Sequence, residues 1–269
     1  MKVGKIGIKA LVLVLIMFYA LAAIAWVTGV EAPEEEEFEL GEVTIEDNGT
    51  ELAISIDEVS EYVTEKIEDA MGSVPEDMEM FVSGAYRATL LGISEVWEGE
   101  VPSRDDIKIV SSLPEPASAL CFQYITGTGP SMENLRAENG VFEIVLQDGT
   151  LVENTSVQHL YELSKNITAD DWKFEISSIS TGESFVVEVK GDVFPEDFFG
   201  LREKVVFGQT ASEKEGQEFT WEWSDINDGF QGFEDYEIFE GLEEPAPDSA
   251  TIVALIAVIL AIVILALII

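Results

Sequence analysis

Two long apolar runs, one at each end of the chain, restrict the folded body to the residues between them. The first follows a start that carries three lysines, so residues 1–32 are predicted to be a signal anchor or a signal peptide. The second, residues 250–269, contains no charge, glycine or proline and is predicted to be a C-terminal transmembrane helix. Because basic residues favour the cytoplasmic side of a bilayer, the body is expected to lie outside the cytoplasm at the cell membrane.

The chain is strongly acidic. It has 53 Asp and Glu residues against 14 Lys and Arg residues, which gives a formal net charge of −39. Such a body repels nucleic acid and anionic lipid headgroups, so no nucleic-acid partner is expected. The charge suits a high-salt medium or cations held at the acidic surface, and it equally suits a simple solubility role. The single cysteine excludes an internal disulfide framework.

Strands and helices mix along the body without a repeating βαβ unit, which predicts an α+β fold. Residues 33–56 are predicted to be an acidic tether followed by a hairpin that turns at Asn48-Gly49. Helices are predicted for residues 57–71, 76–96, 116–125 and 156–166, with a last one inside 194–209. Strands are predicted for residues 107–111, 141–146, 151–153, 172–179 and 184–190.

Residues 210–249, which precede the C-terminal apolar run, form an acidic, aromatic juxtamembrane segment. Phe219, Trp221 and Trp223 alternate with polar residues, and this pattern predicts an edge strand. With the aromatic residues that follow, they are expected to dock on the domain or on a partner rather than stay solvated. The Asp-rich stretch 225–229 is a poor match to a calcium loop, because its glycine comes one residue early.

A break follows the predicted helix 116–125. Gly127, Gly129 and Pro130 interrupt the helix, and glycine tolerates the positive φ that a helix exit needs. The same stretch supplies short polar side chains, namely Thr126, Thr128, Ser131 and Asn134. A corner of this kind can hold a small ligand, or it can merely turn the chain.

The stretch from Gln123 to Leu135, Gln-Tyr-Ile-Thr-Gly-Thr-Gly-Pro-Ser-Met-Glu-Asn-Leu, resembles a segment of the FmdE family. These are the subunit-E-type proteins associated with formylmethanofuran dehydrogenase. Two further stretches are similar to that family and stand in its order, Ser83-Gly84-Ala85-Tyr86-Arg87-Ala88 upstream and Asn139-Gly140-Val141-Phe142-Glu143-Ile144 downstream. The resemblance implies an FmdE-like domain over roughly residues 57–209.

The metal-binding residues of that family are missing from this chain. The corresponding positions read Met78, Met80, Ala117 and Thr128, and the lysine of the family's loop reads Met132. Zinc requires thiolate, imidazole or carboxylate ligands. The resemblance therefore implies a fold, but no metal, no cofactor and no catalytic residue.

The resemblance also implies that several polar side chains come together in one pocket at the break after residue 125. The predicted ligand pocket consists of Tyr86, Arg87, Gln123, Thr126, Thr128 and Asn134. Arg87 would hold an anion beside the loop, or it would form a structural ion pair, because a buried arginine must be paired. The lone histidine, His159, has no nucleophile or carboxylate partner readable nearby and is interpreted as structural.

Three triplets, at Asn48, Asn154 and Asn166, fit the N-glycosylation pattern Asn-x-Ser/Thr. Each falls at a predicted turn, strand exit or helix end. All three are therefore expected to be exposed and open to modification outside the cytoplasm.

These features predict a membrane-anchored, non-catalytic binding or accessory subunit on an FmdE-like fold. The expected partners are the lipid bilayer and other membrane or surface protein subunits. The alternative is a structural cell-envelope glycoprotein with an acidic exterior. An enzyme ranks third, because the sequence retains neither the metal ligands nor a catalytic set.

Overall fold

The computed structural model of the chain describes residues 40–129 and 139–246, and it mixes strands with helices as an α+β fold does. The strands are Val43–Asp47 (β1), Thr50–Ile54 (β2), Ile107–Ser111 (β3), Val141–Ile144 (β4), Lys173–Ser178 (β5) and Ser184–Glu188 (β6). The α-helices are Ile56–Met71 (α1), Met78–Trp97 (α2), Pro116–Thr126 (α3), Val157–Leu163 (α4), Phe198–Arg202 (α5), Glu213–Gly232 (α6) and Asp235–Ile238 (α7).

The predicted architecture also placed this domain between two transmembrane helices, and that part is corrected. Within residues 40–129 and 139–246, no helix combines the length and the apolar composition that a bilayer crossing requires. The two longest helices, α2 and α6, both carry charged side chains, and α2 is buried against other protein elements. The two predicted spans, 1–32 and 250–269, lie outside the described residues.

Four strands form the main sheet in the order β4-β3-β5-β6, with β3 and β4 parallel and the other pairs antiparallel. Side chains alternate between its faces, so that Ile109, Phe174, Ile176 and Val187 point into the core. The predicted second arm of a hairpin at 151–153 is reduced to an isolated antiparallel bridge between Val145 and Leu151, where the Val152 N–H donates to the Ile144 carbonyl oxygen at 2.9 Å.

The separate hairpin β1-β2 is confirmed at its predicted turn. Asn48 and Gly49 both have positive φ, at 51° and 74°, which is what a tight two-residue turn requires. Val43, Ile45 and Ile54 of this hairpin join the same hydrophobic core as the sheet and the helices. The predicted tether and hairpin segment therefore contributes to the domain, at least from residue 40 onwards.

Helix α2 runs through the centre of the domain, and small residues let the sheet approach it closely. A Cβ atom on Gly84 would lie 2.6 Å from the indole of Trp172, and one on Gly92 would lie 2.7 Å from Ile176. Trp172 in turn stacks on Phe81 and Phe230, with ring centroids 5.1 and 5.4 Å apart. These contacts tie the sheet, α2 and α6 into one aromatic core.

Helix α6 corrects the prediction of an edge strand around Phe219. The alternation of aromatic and polar residues spans only five positions, whereas Phe219, Ile226 and Phe230 are buried at helical spacing. A capping box between Ser212 and Glu215 also starts the helix. The prediction that the aromatic residues of this segment dock on the domain or on a partner is confirmed for Phe219, Phe230 and Phe239, which belong to the main core, whereas Trp221 and Phe233 are exposed.

Candidate functional site

The exit of α3 keeps three predicted pocket residues together. Gly127 takes a φ of 74°, and the hydroxyl oxygens of Thr126 and Thr128 lie 2.9 Å apart. The Gln123 carbonyl accepts from the N–H groups of Thr128 and Gly129, and the Gln123 amide donates to Thr155 at 3.4 Å. The corner therefore closes on itself through its own hydrogen bonds. Asn134, the last predicted residue, lies outside the described residues.

Tyr86 fastens the hairpin to α2. Its hydroxyl donates to the backbone oxygens of Ile54, at 2.6 Å, and Gly41, at 2.9 Å, and it accepts from the N–H of Val43 at 3.1 Å. Burial raises the pKa of this phenol well above its usual range. These contacts give Tyr86 a structural role that sequence reasoning did not foresee.

Arg87 holds the corner between α6 and α7. Its guanidinium donates to the carboxylate of Asp235 at 2.9 Å and to the carbonyl oxygen of Phe230 at 2.9 Å, and it also donates to the carbonyl oxygen of Phe233. The ion pair is the alternative that the sequence left open for this residue. The contacts described for Tyr86 and Arg87 go to different elements from those of Gln123, Thr126 and Thr128. One pocket built from all of them stays a prediction, because part of the predicted loop lies outside the described residues.

Two further arginines are buried in pairs with aspartates. Arg104 lies 3.2 Å from Asp47 and donates to the carbonyl oxygens of Tyr124 and Ile125 at the end of α3. Arg202 lies 2.5 Å from Asp77 and donates to the Ser164 carbonyl. The chain has only four arginines, and this scarcity was the one sequence feature that singled them out. Nothing in the sequence indicated which carboxylates would pair with them.

The pair of Arg202 and Asp77 belongs to a buried charged cluster that includes Glu115. Glu115 caps the N-terminus of α3 by accepting from the Ser118 N–H at 2.8 Å. Burial raises the pKa of Glu115 to about 7, the nearby Arg202 opposes that shift, and Asp77 adds to it. The cluster contains its own cation and has little contact with solvent, so its charges are compensated inside the fold and are not offered to a ligand.

A groove opens between α6, α7 and the short turn Gly191–Val193, with a volume of about 390 Å³. Its apolar wall residues are Val193, Pro195, Ile226, Phe233 and Ile238. Its acidic lining residues are Asp192, Glu222, Asp225 and Glu237, and among the described residues that line it there is no lysine, arginine or histidine. Arg87 fixes one wall residue of this groove, because it donates to the carbonyl oxygen of Phe233.

The surroundings of Glu222 in the groove disfavour the charge on its carboxylate. Burial raises its pKa, and the neighbouring acids Glu218 and Asp197 raise it further. Its Oε2 atom is buried, and no hydrogen-bond donor among the described residues reaches it. A buried acceptor without a donor costs free energy, so this oxygen is a place where an incoming donor would be stabilised.

Two large aromatic side chains of this region are exposed, one of α6 and one of the groove wall. Trp221, in the middle of α6, is 70% exposed, and Phe233 at the end of that helix is 55% exposed. Asp225 follows Trp221 by four residues, so the two side chains are neighbours on the outer face of the helix. The groove, Trp221 and Phe233 together are called the α6 surface below. Sequence reasoning noted the aromatic, acidic composition of this segment but did not locate a groove.

No family model, curated protein or solved structure matches this chain. The resemblance to the FmdE family therefore stays a prediction. No group of three or more His, Cys, Asp or Glu side chains is placed to hold a metal ion in the part of the chain that the structure describes.

Proposed function

We propose that this domain is a non-catalytic binding or accessory module that holds a partner protein against the α6 surface. The observation that carries the proposal is the indole of Trp221, which is 70% exposed in the middle of a regular helix. Tryptophan is enriched among the residues that dominate protein–protein interfaces. The proposal concerns the α+β domain alone and does not depend on membrane-spanning helices.

The neighbours of Trp221 support this interpretation. A single exposed apolar residue is ordinary, but Trp221 has groove-lining residues as its neighbours on α6, namely Glu222 next in the chain and Asp225 one turn on. Phe233, which also lines the groove, is exposed as well. The exposed indole can insert into a partner, and the groove can receive a side chain from it. The helix is also held firmly, since Phe219 and Phe230 anchor its inner face in the core.

The non-catalytic part of the proposal draws on how the predicted site residues are used. Tyr86 and Arg87 join backbone segments to one another, and Thr126 and Thr128 bond to each other or to the backbone at the end of α3. Side chains that hold the fold in this way are poorly placed to exchange protons with a substrate.

Site-specific photo-crosslinking in the native host tests the proposal. A photoreactive amino acid replaces Trp221 in one variant and Glu61, an exposed residue of α1, in the control. We expect a discrete adduct of defined mass with one protein at position 221 and none at position 61. We also expect Trp221→Ala to abolish co-purification of that same protein. Identical adducts at both positions, or none at either, would contradict the proposal.

The exposure of the three glycan acceptors favours the second candidate, a structural cell-envelope glycoprotein. Asn48, Asn154 and Asn166 all lie at the surface, and the Asn154 side chain accepts from the Ser156 N–H at 3.1 Å in a tight turn. Glycopeptide mass analysis of native material should find a glycan on Asn154 or Asn166. Three bare acceptors would count against this candidate and against the predicted location outside the cytoplasm, which otherwise stays a prediction.

A further inference from the structure

We infer that the segment received by the α6 surface is basic and carries arginine, an inference that rests on the proposed function. Four carboxylates and five apolar residues line the groove. A cation on a long aliphatic stem satisfies both kinds of lining, because the stem covers the apolar wall while the charged head reaches the acids. A volume of about 390 Å³ lies at the small end of the range for ligand pockets and suits one or two long side chains.

The carboxylate of Glu222 makes the binding of a hydrogen-bond donor in the groove favourable. Its buried Oε2 has no hydrogen-bond donor from the described residues, and Glu218 and Asp197 repel its charge. An arriving guanidinium or ammonium group would supply the donor and the opposite charge together. Hydrogen bonds between charged groups are stronger than neutral ones, so the interaction favours a cation over a neutral amide.

The exposed indole of Trp221 favours arginine over lysine in the partner segment. The planar guanidinium stacks on an indole face and can at the same time donate to a neighbouring carboxylate with its edge. Asp225, four residues on, offers that carboxylate on the same exposed face of α6. A lysine ammonium is a compact, strongly hydrated charge and cannot make both contacts in this planar way.

Long-range attraction alone would not give this preference. The net charge of −39 draws any basic segment toward the whole surface, including the acidic outer face of α1. Glu61, Glu68 and Asp69 on that face are exposed, but no large apolar side chain stands exposed beside them on α1. The α1 face therefore serves as an acidic control surface that lacks the exposed aromatic residue and the groove of the α6 surface.

The test measures the binding of three labelled peptides to the purified full chain by fluorescence anisotropy at low salt. The peptides share leucines on one helical face and differ only in carrying arginine, lysine or glutamine on the other. We expect the arginine peptide to bind about two- to fivefold more tightly than the lysine peptide, and the glutamine peptide to bind weakest. Trp221→Ala should remove the preference for arginine over lysine.

Two charge variants complete the design. Glu222→Gln with Asp225→Asn should weaken binding of the arginine peptide about three- to tenfold, whereas Glu61→Gln, Glu68→Gln and Asp69→Asn together should change it less than about twofold. Circular dichroism melting confirms that each variant is folded. Equal affinity for the arginine and glutamine peptides, or equal losses in both charge variants, would overturn the inference.

The outcomes separate this inference from the proposed function. A crosslinked partner at position 221, combined with peptides that bind without regard to charge, would leave the binding module standing and remove the basic partner. A clear arginine preference without any adduct in the host would support the chemistry of the surface but contradict its use as a protein-binding module.

Discussion

Two regions of this protein gather carboxylates in surroundings that disfavour their charge, and they differ in one component. The buried cluster around Glu115 contains Arg202, which lies 2.5 Å from Asp77 and partly offsets the rise in the pKa of Glu115. The groove beside α6 raises the pKa of Glu222 in the same direction, but no basic side chain of the described residues lines it.

The difference follows from where each region can find a cation. An uncompensated charge inside the core is expensive, so the fold itself must provide the counter-charge there. A groove at the surface remains open to water and to other molecules, and its counter-charge can arrive from outside. The comparison thus indicates which acids belong to folding and which are available for recognition.

Removal of the internal cation should have the largest effect. Arg202→Met leaves Asp77 and Glu115 without a counter-charge and also removes the stacking of the guanidinium on Phe81 at 4.8 Å. We expect the free energy of unfolding to fall by about 3–5 kcal/mol. Urea denaturation measures the loss. Lys204→Met, an exposed lysine paired with Glu215, is the control and should change little; equal losses would refute the distinction.

The second largest expected effect is the dependence of the free energy of unfolding on pH that comes from Glu115. Its folded pKa of about 7 lies above the ordinary value of 4.5, so the folded protein holds this proton more tightly than the unfolded chain does. The stability from this group is complete below pH 4.5 and is lost as pH rises through about 7. Glu115→Gln should therefore gain up to about 3 kcal/mol at pH 8 relative to wild type.

Denaturation of wild type and Glu115→Gln at several pH values checks that window. The difference between the two proteins should be small at about pH 4 and should grow until it levels off near pH 8. A difference that stays constant across this range would show that the pKa of Glu115 is the same in the folded and the unfolded protein, and would contradict the prediction.

In the groove, the corresponding substitution should have a much smaller effect on stability. Glu222→Gln removes a carboxylate whose pKa is raised, so the variant should gain slightly in stability at neutral pH. Solvent screens this partly exposed site, and we expect no more than about 0.5 kcal/mol, measured by thermal melting. Glu61→Gln is the matched surface control. A loss above about 1 kcal/mol would mean that Glu222 has an internal partner and serves the fold.

The smallest expected change in stability is at Trp221. Trp221→Ala should alter the free energy of unfolding by less than about 0.5 kcal/mol, because the ring is 70% exposed. Phe230→Ala, on the buried side of the same helix, should lose about 3–5 kcal/mol. If Trp221→Ala were as damaging as Phe230→Ala in urea denaturation, the ring would be part of the core rather than a binding surface.

The corner after α3 shows what a local sequence pattern can predict and what it cannot. Gly127 was expected to end the helix and does so with a positive φ, since that requirement concerns a single residue. The pocket predicted around the same corner needed Arg87 as well, and Arg87 pairs with Asp235, which lies 148 residues further along the chain. A pairing over that separation cannot be predicted from the residues around Arg87 or from those around Asp235.

By itself, the sequence determined those elements whose signal is local. The Asn48-Gly49 turn needs positive φ at two adjacent residues, and α1 repeats apolar residues at helical spacing, so both could be predicted from their own residues. Tertiary structure decided the rest. It made α6 a helix, because Phe219 and Phe230 bury against the core, and it formed the groove by bringing α6 to the turn at 191–193. A depression between elements depends on how they pack, and packing is settled only when distant segments compete for the same core.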